Sequence, residues 1–281
     1  MVADLRADTT VAAGAAGLAL GDRWDFALPS GGVVMTAALR AAAAALDPAE
    51  RLLSATATFL EPVRPGPVTL APTVLRRGAS ASQVRVALTA ADSRGCEVAA
   101  TFARDRPGPD VRGAACPDVP GPAACPDLTG ADSPLGRLRF FTNFDVRLAG
   151  GTPLWGPTFA AGPARYLRWF RYRVPQRDGA LLDRLALPPI VDTMPAALTR
   201  AIGPGPYRYY APSVDLTLHV IDDTDREWLL VDVAVPRARA GWATGRAEVW
   251  DDQGRLIATA CQTMYLRTLA GPAPVVDATT P

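Results

Sequence analysis

Twenty-nine basic and 28 acidic side chains in 281 residues leave a formal net charge of +1, and 49% of the chain is hydrophobic. That is enough chain for one large domain or two small ones, and its near-neutral charge, without a block of like charges, argues against a phosphate-driven nucleic-acid binder and an anionic membrane surface. A single histidine, His219, excludes a multi-histidine metal site and permits only one Ser-His-Asp triad, for which no G-x-S-x-G elbow exists.

The N-terminus, with Asp4, Arg6 and Asp8 ahead of an alanine-glycine stretch, lacks the basic region and apolar core of a secretory signal. No run of about 20 strongly apolar residues follows. The expectation is a soluble cytoplasmic protein with reduced thiols. "SGGVVMTAALRAAAAALD" predicts a helix with Ser30 as N-cap, rich in alanine and ended before Pro48. Strand-like runs come next: "LLSATATFLEPV", "VTLAPTVLRRG", "SQVRVALTAAD" and "CEVAATFAR", the last two joined by a turn at Asp92–Gly95. Proline and glycine then crowd residues 105–134, which predicts a linker. Within it Cys116 and Cys125 stand in two "ACPD" repeats; reduced thiols are expected, with closure of one onto the other as the alternative. Neither they nor Cys96 and Cys261 form a C-x-x-C pair, so no metal site is expected.

Beyond the linker, "ARYLRWFRYRV" reads as an amphipathic strand with an arginine rim, or as a platform for a nucleotide. Arg76 and Arg77 offer a second choice of phosphate contacts. "TMPAALTRAI" predicts a second helix, followed by strands in "SVDLTLHVI", "EWLLVDVAVP", "GRAEVWDD" and "RLIATACQTMYLR". A shift of 159 positions superposes the halves without a gap, Met35 on Met194, Ser54 on Ser213, Asp92 on Asp251 and Gly95 on Gly254. One offset held this far points to a duplicated domain. Each copy predicts a curved antiparallel sheet wrapped around a helix, over residues 1–104 and 135–281.

The motifs "GGVVMTAAL", "FLEPVRPGP" and "LRRGASASQVRVAL" in the first half, and "PSVDLTLHV" followed by "WDDQGRLIATACQTMYLR" in the second, resemble the double-hotdog acyl-CoA thioesterases over nearly the whole chain. The resemblance implies an α+β double hotdog, two tandem antiparallel sheets each wrapped around a central helix. It also implies a strand aspartate, a glutamine on the final strand and a hydroxyl between them, together holding a hydrolytic water. Asp215 and Gln262 match the first two; the hydroxyl position falls on Pro236, which has none. By the 159 offset Asp215 lies on Thr56 and Gln262 on Ala103, so the polar pair exists in one half only. The blander alternative makes Asp215 a strand-start cap and places Gln262 on a solvated face.

The expected catalytic pair is therefore Asp215 as base and Gln262 as water-orienting amide. Gly31, Gly32 and Val33, at a helix entrance, would bring backbone amides to the oxyanion, or simply make a tight turn. His219 shares a face with Asp215 and Thr217 by period-two alternation; it is a substrate-side acid or base, or a satisfied histidine beside the core. Cys261 is expected to fill core. The function expected is hydrolysis of an acyl-CoA or carrier-bound acyl thioester, without cofactor or metal and without nucleic-acid or membrane partners, and with homo-oligomerisation left open. The alternatives are a cyclase, dehydratase or isomerase on a related substrate, suggested by Pro236, and a silent ligand-binding double hotdog.

Overall fold

The computed structural model describes residues 2–278 except 13, 131 and 277. Its first half carries α1 (Leu5–Thr9), β1 (Gly17–Leu20), α2 (Gly31–Ala44), β2 (Arg51–Phe59), β3 (Gly66–Arg77), β4 (Ala81–Ala90) and β5 (Ser93–Ala103). Its second half carries β6 (Phe144–Gly150), β7 (Arg165–Tyr172), the two-residue strands β8 (Arg177–Asp178) and β9 (Leu181–Leu182), α3 (Leu187–Val191), α4 (Pro195–Ile202), β10 (Arg208–Tyr210), β11 (Ser213–Val220), β12 (Leu229–Arg239), β13 (Trp242–Asp251), β14 (Leu256–Tyr265) and β15 (Arg267–Ala270).

Eleven strands form one continuous antiparallel sheet in the order β1-β3-β4-β5-β2-β11-β14-β13-β12-β7-β6. The halves meet at β2 and β11, where Thr56 pairs with Thr217 and their hydroxyls lie 2.9 Å apart. Alternation decides the inner face: on β4, Val84, Val86 and Leu88 are buried while Gln83 and Arg85 face outward. Helix α2 is buried along most of its length, with Met35, Ala37, Ala38, Leu39 and Ala42 at 0% exposure. Its run of alanines brings helix and sheet close, and an all-round apolar helix has to lie inside. The second-half helix is broken. Pro188 and Pro189 open α3, Pro195 opens α4, and Asp192, Thr193 and Met194 lie between them.

The gapless offset of 159 does not survive. Both central strands carry a bulge against their inner neighbour, between Leu52 and Ser54 on β2 and between Ser213 and Asp215 on β11, which sets these strands 161 positions apart. The β4–β5 turn spans two residues, Ala90 pairing with Ser93, whereas the β13–β14 turn spans five, Trp250 pairing with Leu256. Ala100 lies between Ala55 and Val84, and Gln262 between Leu216 and Gly245. The counterparts of Ser213 and Gln262 are therefore Leu52 and Ala100; Asp215 corresponds to Ser54 rather than Thr56, and Ala103 is not the partner of Gln262.

Between β5 and β6 the chain crosses the outer face of the second-half sheet. Trp169 Nε1 donates to the Pro120 carbonyl at 2.9 Å, and Cys125 packs with Trp169, Leu230 and Trp250. Cys116 and Cys125 are both free thiols, and the Cys125 thiol donates to the Pro120 carbonyl at 3.3 Å. Trp169→Phe removes the indole donor but keeps the ring. We expect about 1 kcal/mol less protection of this segment, read as faster limited proteolysis within residues 105–121, with the fold retained.

A buried carboxylate at the junction of the halves as the candidate active site

The break between α3 and α4 places Asp192 against the head of α2 from the other half. Its Oδ2 accepts from the Gly32 amide at 2.8 Å and the Ser30 hydroxyl at 3.0 Å. Its Oδ1 accepts from the Ser213 hydroxyl at 2.9 Å and Gln262 Nε2 at 3.0 Å. Gln262 Nε2 also donates to Ser213 Oγ. Asp192 is 7% exposed and Gln262 1%.

Each position follows from local structure. The bulge at the start of β11 turns Ser213 toward Asp192, and Gln262 sits opposite the buried Leu216, on the helix-facing side of β14. A Cβ on Gly245, beside Gln262 on β13, would stand 2.8 Å from Met194 Sδ, so a side chain there would have to displace Met194. A Cβ on Gly32 would lie 2.4 Å from the Pro188 carbonyl oxygen, so only glycine lets α2 meet α3 at the carboxylate. Arg168, fully enclosed, donates to the Thr193 carbonyl at 3.1 Å and hydroxyl at 2.8 Å and so holds the residue next to Asp192. Burial pulls that guanidinium down to about 10.

Among the described residues no cation hydrogen-bonds to Asp192. Burial pushes its carboxyl above the ordinary aspartate value, and the four donors only partly offset this. The result is a carboxylate more basic than a surface aspartate, facing an amide and a hydroxyl. Gln262 Oε1 is buried without a hydrogen-bond partner, so an acceptor beside the base is free to hold a water. Tyr210, half exposed, lies close enough for the Asp192 charge to help burial raise its phenol. Among the described residues no group of three or more His, Cys, Asp or Glu side chains is placed to hold a metal ion.

Of the residues expected from sequence, Gln262, Gly31, Gly32 and Val33 are at this junction. The Gly32 amide is taken by Asp192 rather than left for an oxyanion, and Val33 is core at 1% exposure. Asp215 is not there. It pairs with Thr58 and Thr263 on the outer face, and its Oδ1 accepts from the Thr263 amide at 2.8 Å, bracing the bulge. Register is the reason: Gln262 faces Leu216, so its neighbour Asp215 points through the other side of the sheet. The carboxylate that meets Gln262 is Asp192.

His219 is exposed near the far end of β11, beside Ser54, in a shallow depression with Thr56, Gln83 and Thr101. Pro236 is exposed at a bulge of β12, where a missing amide proton is tolerated, and the hydroxyl of the cluster comes from Ser213 instead. Cys261 is exposed on the outer face rather than core. The arginines of "ARYLRWFRYRV" are committed: Arg165 to Asp232, Arg171 and Arg173 to Asp145, Arg168 to Thr193. Arg77 donates to the Ala45 carbonyl. Asp192 and Ser213 were readable only faintly, as the one acidic residue of "PPIVDTMP" and the hydroxyl opening "SVDLTLH". We expect Asp215→Asn, which keeps an acceptor for Thr263, and His219→Ala to leave turnover at this cluster within about threefold of the parent, since neither removes a group of the cluster.

Residues 20–104 match the acyl-CoA thioesterase N-terminal domain, and residues 118–266 match the acyl-CoA thioesterase C-terminal domain. A hot dog protein of unknown function from Alicyclobacillus acidocaldarius superposes with a TM-score of 0.80 at 21% identity, over 98% of this chain and 100% of that one. An acyl-CoA thioesterase II from Mycobacterium marinum gives 0.73 at 22% identity, over 96% and 100%. A candidate thioesterase from Novosphingobium aromaticivorans gives 0.73 at 26% identity, over 89% and 94%. No curated protein is matched.

Proposed function

The chain belongs to the acyl-CoA thioesterase family, and on that premise we propose that it hydrolyses acyl-CoA thioesters with Asp192 as general base. The observation that carries this reading is the convergence of Asp192, Ser213 and Gln262 on one buried point at the head of α2. Gln262 Oε1 accepts a hydrogen bond from one proton of a water, and the Ser213 hydroxyl turns from Asp192 Oδ1 to donate to the water's oxygen. The water attacks the thioester carbonyl carbon as the Oδ1 so freed takes its other proton. The Gly31 amide, first of α2 and without an intrahelical acceptor by position, is the donor proposed for the oxyanion. Collapse of the tetrahedral intermediate breaks the C–S bond, and the thiolate recovers the proton from Asp192. One bond to water oxygen forms, one to sulfur breaks, and no covalent enzyme intermediate or cofactor is required.

The cyclase, dehydratase or isomerase alternative rested on a missing hydroxyl at Pro236; Ser213 supplies one, so that motive is gone. The test is free-thiol release from short, medium and long acyl-CoAs, with the acyl product identified. Stoichiometric thiol and free acid support hydrolysis. Turnover of the acyl group without thiol release, or no turnover across the panel, overturns it.

A further inference from the structure

The first half brings an apolar side chain to the candidate site. Phe59 is the last residue of β2 and pairs with Cys96, while Thr58 before it pairs with Asp215. Alternation turns Phe59 inward with Ala55 and Ala57, both buried, and the pairing sets it across from the bulge of β11 that presents Ser213.

A Cβ on Gly31 would stand 2.9 Å from Phe59 Cζ and 3.2 Å from Asp192 Oδ2. The rim of the ring and the carboxylate therefore flank one point at the head of α2, and the missing Gly31 side chain lets both come that close. The site has a polar side, where Ser213 and Gln262 donate to Oδ1, and an apolar side, where the ring approaches Oδ2. Phe59 packs on the core yet is only half-buried, so part of a ring that adjoins the site remains uncovered. A thioester carbonyl carbon has two substituents: sulfur leads into the polar pantetheine arm, and C2 into the apolar acyl chain. An uncovered ring suits the second.

Resting on the thioesterase reading, we propose that Phe59 is a specificity-determining residue, whose ring lies against C2 of the acyl group and admits a straight chain but not a branch at that carbon. The Phe59 backbone is held in the sheet and its ring rests on the core, so the ring has little room to retreat. A methylene at C2 meets it in contact. A methyl branch has to displace the ring or lift the carbonyl away from the Gly31 amide.

The experiment compares a straight-chain acyl group with its 2,2-dimethyl counterpart, which puts a methyl on the ring side whichever way the chain turns. Binding is read by calorimetry with acyl-CoA ketone analogues, in which CH2 replaces the thioester sulfur, and turnover by thiol release from the two thioesters. The parent should bind the straight chain about 10-fold or more tightly than the branched one. Phe59→Ala should bring the two affinities within about threefold and lower the parent's ratio of kcat/KM values by a similar factor to the loss of binding preference. Phe59→Leu keeps an apolar side chain without the ring rim, and serves if the alanine variant does not fold. Equal binding of both analogues by the parent, or a preference unchanged in a folded variant, overturns the role of Phe59. Selective binding that depends on Phe59, without thiol release from either thioester, upholds that role and defeats the hydrolase reading; thiol release without such selectivity does the reverse.

Discussion

Asp192→Asn should lower kcat/KM for acyl-CoA hydrolysis by about 10²-fold or more, because the amide cannot take the proton that a bound water must lose. The fold should not suffer. Burial raises the Asp192 carboxyl above its unfolded value, so the unfolded chain gives up its proton at lower pH than the folded one. Between those two values the unfolded state binds fewer protons and stability falls as pH rises; above both, the full cost of a buried charge is present. Asparagine carries no such charge. Its Tm at neutral pH should equal or exceed the parent's, measured by calorimetry alongside thiol release. A variant that loses activity together with several degrees of Tm would mean that Asp192 is structural. In the parent, the acid limb of kcat/KM should lie above the ordinary aspartate range and vanish from the residual rate of Asp192→Asn. Ser213→Ala and Gln262→Ala remove one water contact each and should cost less, about tenfold or more.

Gly32→Ala should disrupt stability and activity together. Its Cβ would stand 2.4 Å from the Pro188 carbonyl oxygen and 2.7 Å from Pro189 Cα, both backbone atoms of a segment pinned by two prolines. Neither side can yield by a rotamer change, so α2 and α3 must separate. Such overpacking costs about 1–3 kcal/mol or more. The same movement lengthens the 2.8 Å bond from the Gly32 amide to Asp192, so activity should fall with stability. Urea denaturation and thiol release on one preparation check both. By contrast Gly121→Ala, at a glycine with open space around its missing Cβ, should change neither. Parent-like stability in Gly32→Ala would show that the junction is looser than the packing implies.

The architecture was legible in the sequence because it rests on local rules. Alternation marked the strands, an alanine-rich apolar run marked the buried helix, and the motifs of both halves pointed to a family whose domains the chain does match. Gln262 was legible for the same reason. Its carboxylate partner was not, because the choice depended on quantities that a strand pattern does not carry. One is register: a bulge at Val214 turns Ser213 inward, while the pairing of Leu216 with Gln262 sends Asp215 through the opposite face. The other is the helix break at Asp192, where prolines end one short helix and begin another, and where the carboxylate acquires partners 160 residues away at Gly32. The sequence by itself determined which residue types line each strand and helix, since side-chain periodicity and propensity act over a few positions. Only the tertiary structure decided which aspartate is buried beside the glutamine, because burial, register and the meeting of the two halves are properties of packing over the whole chain.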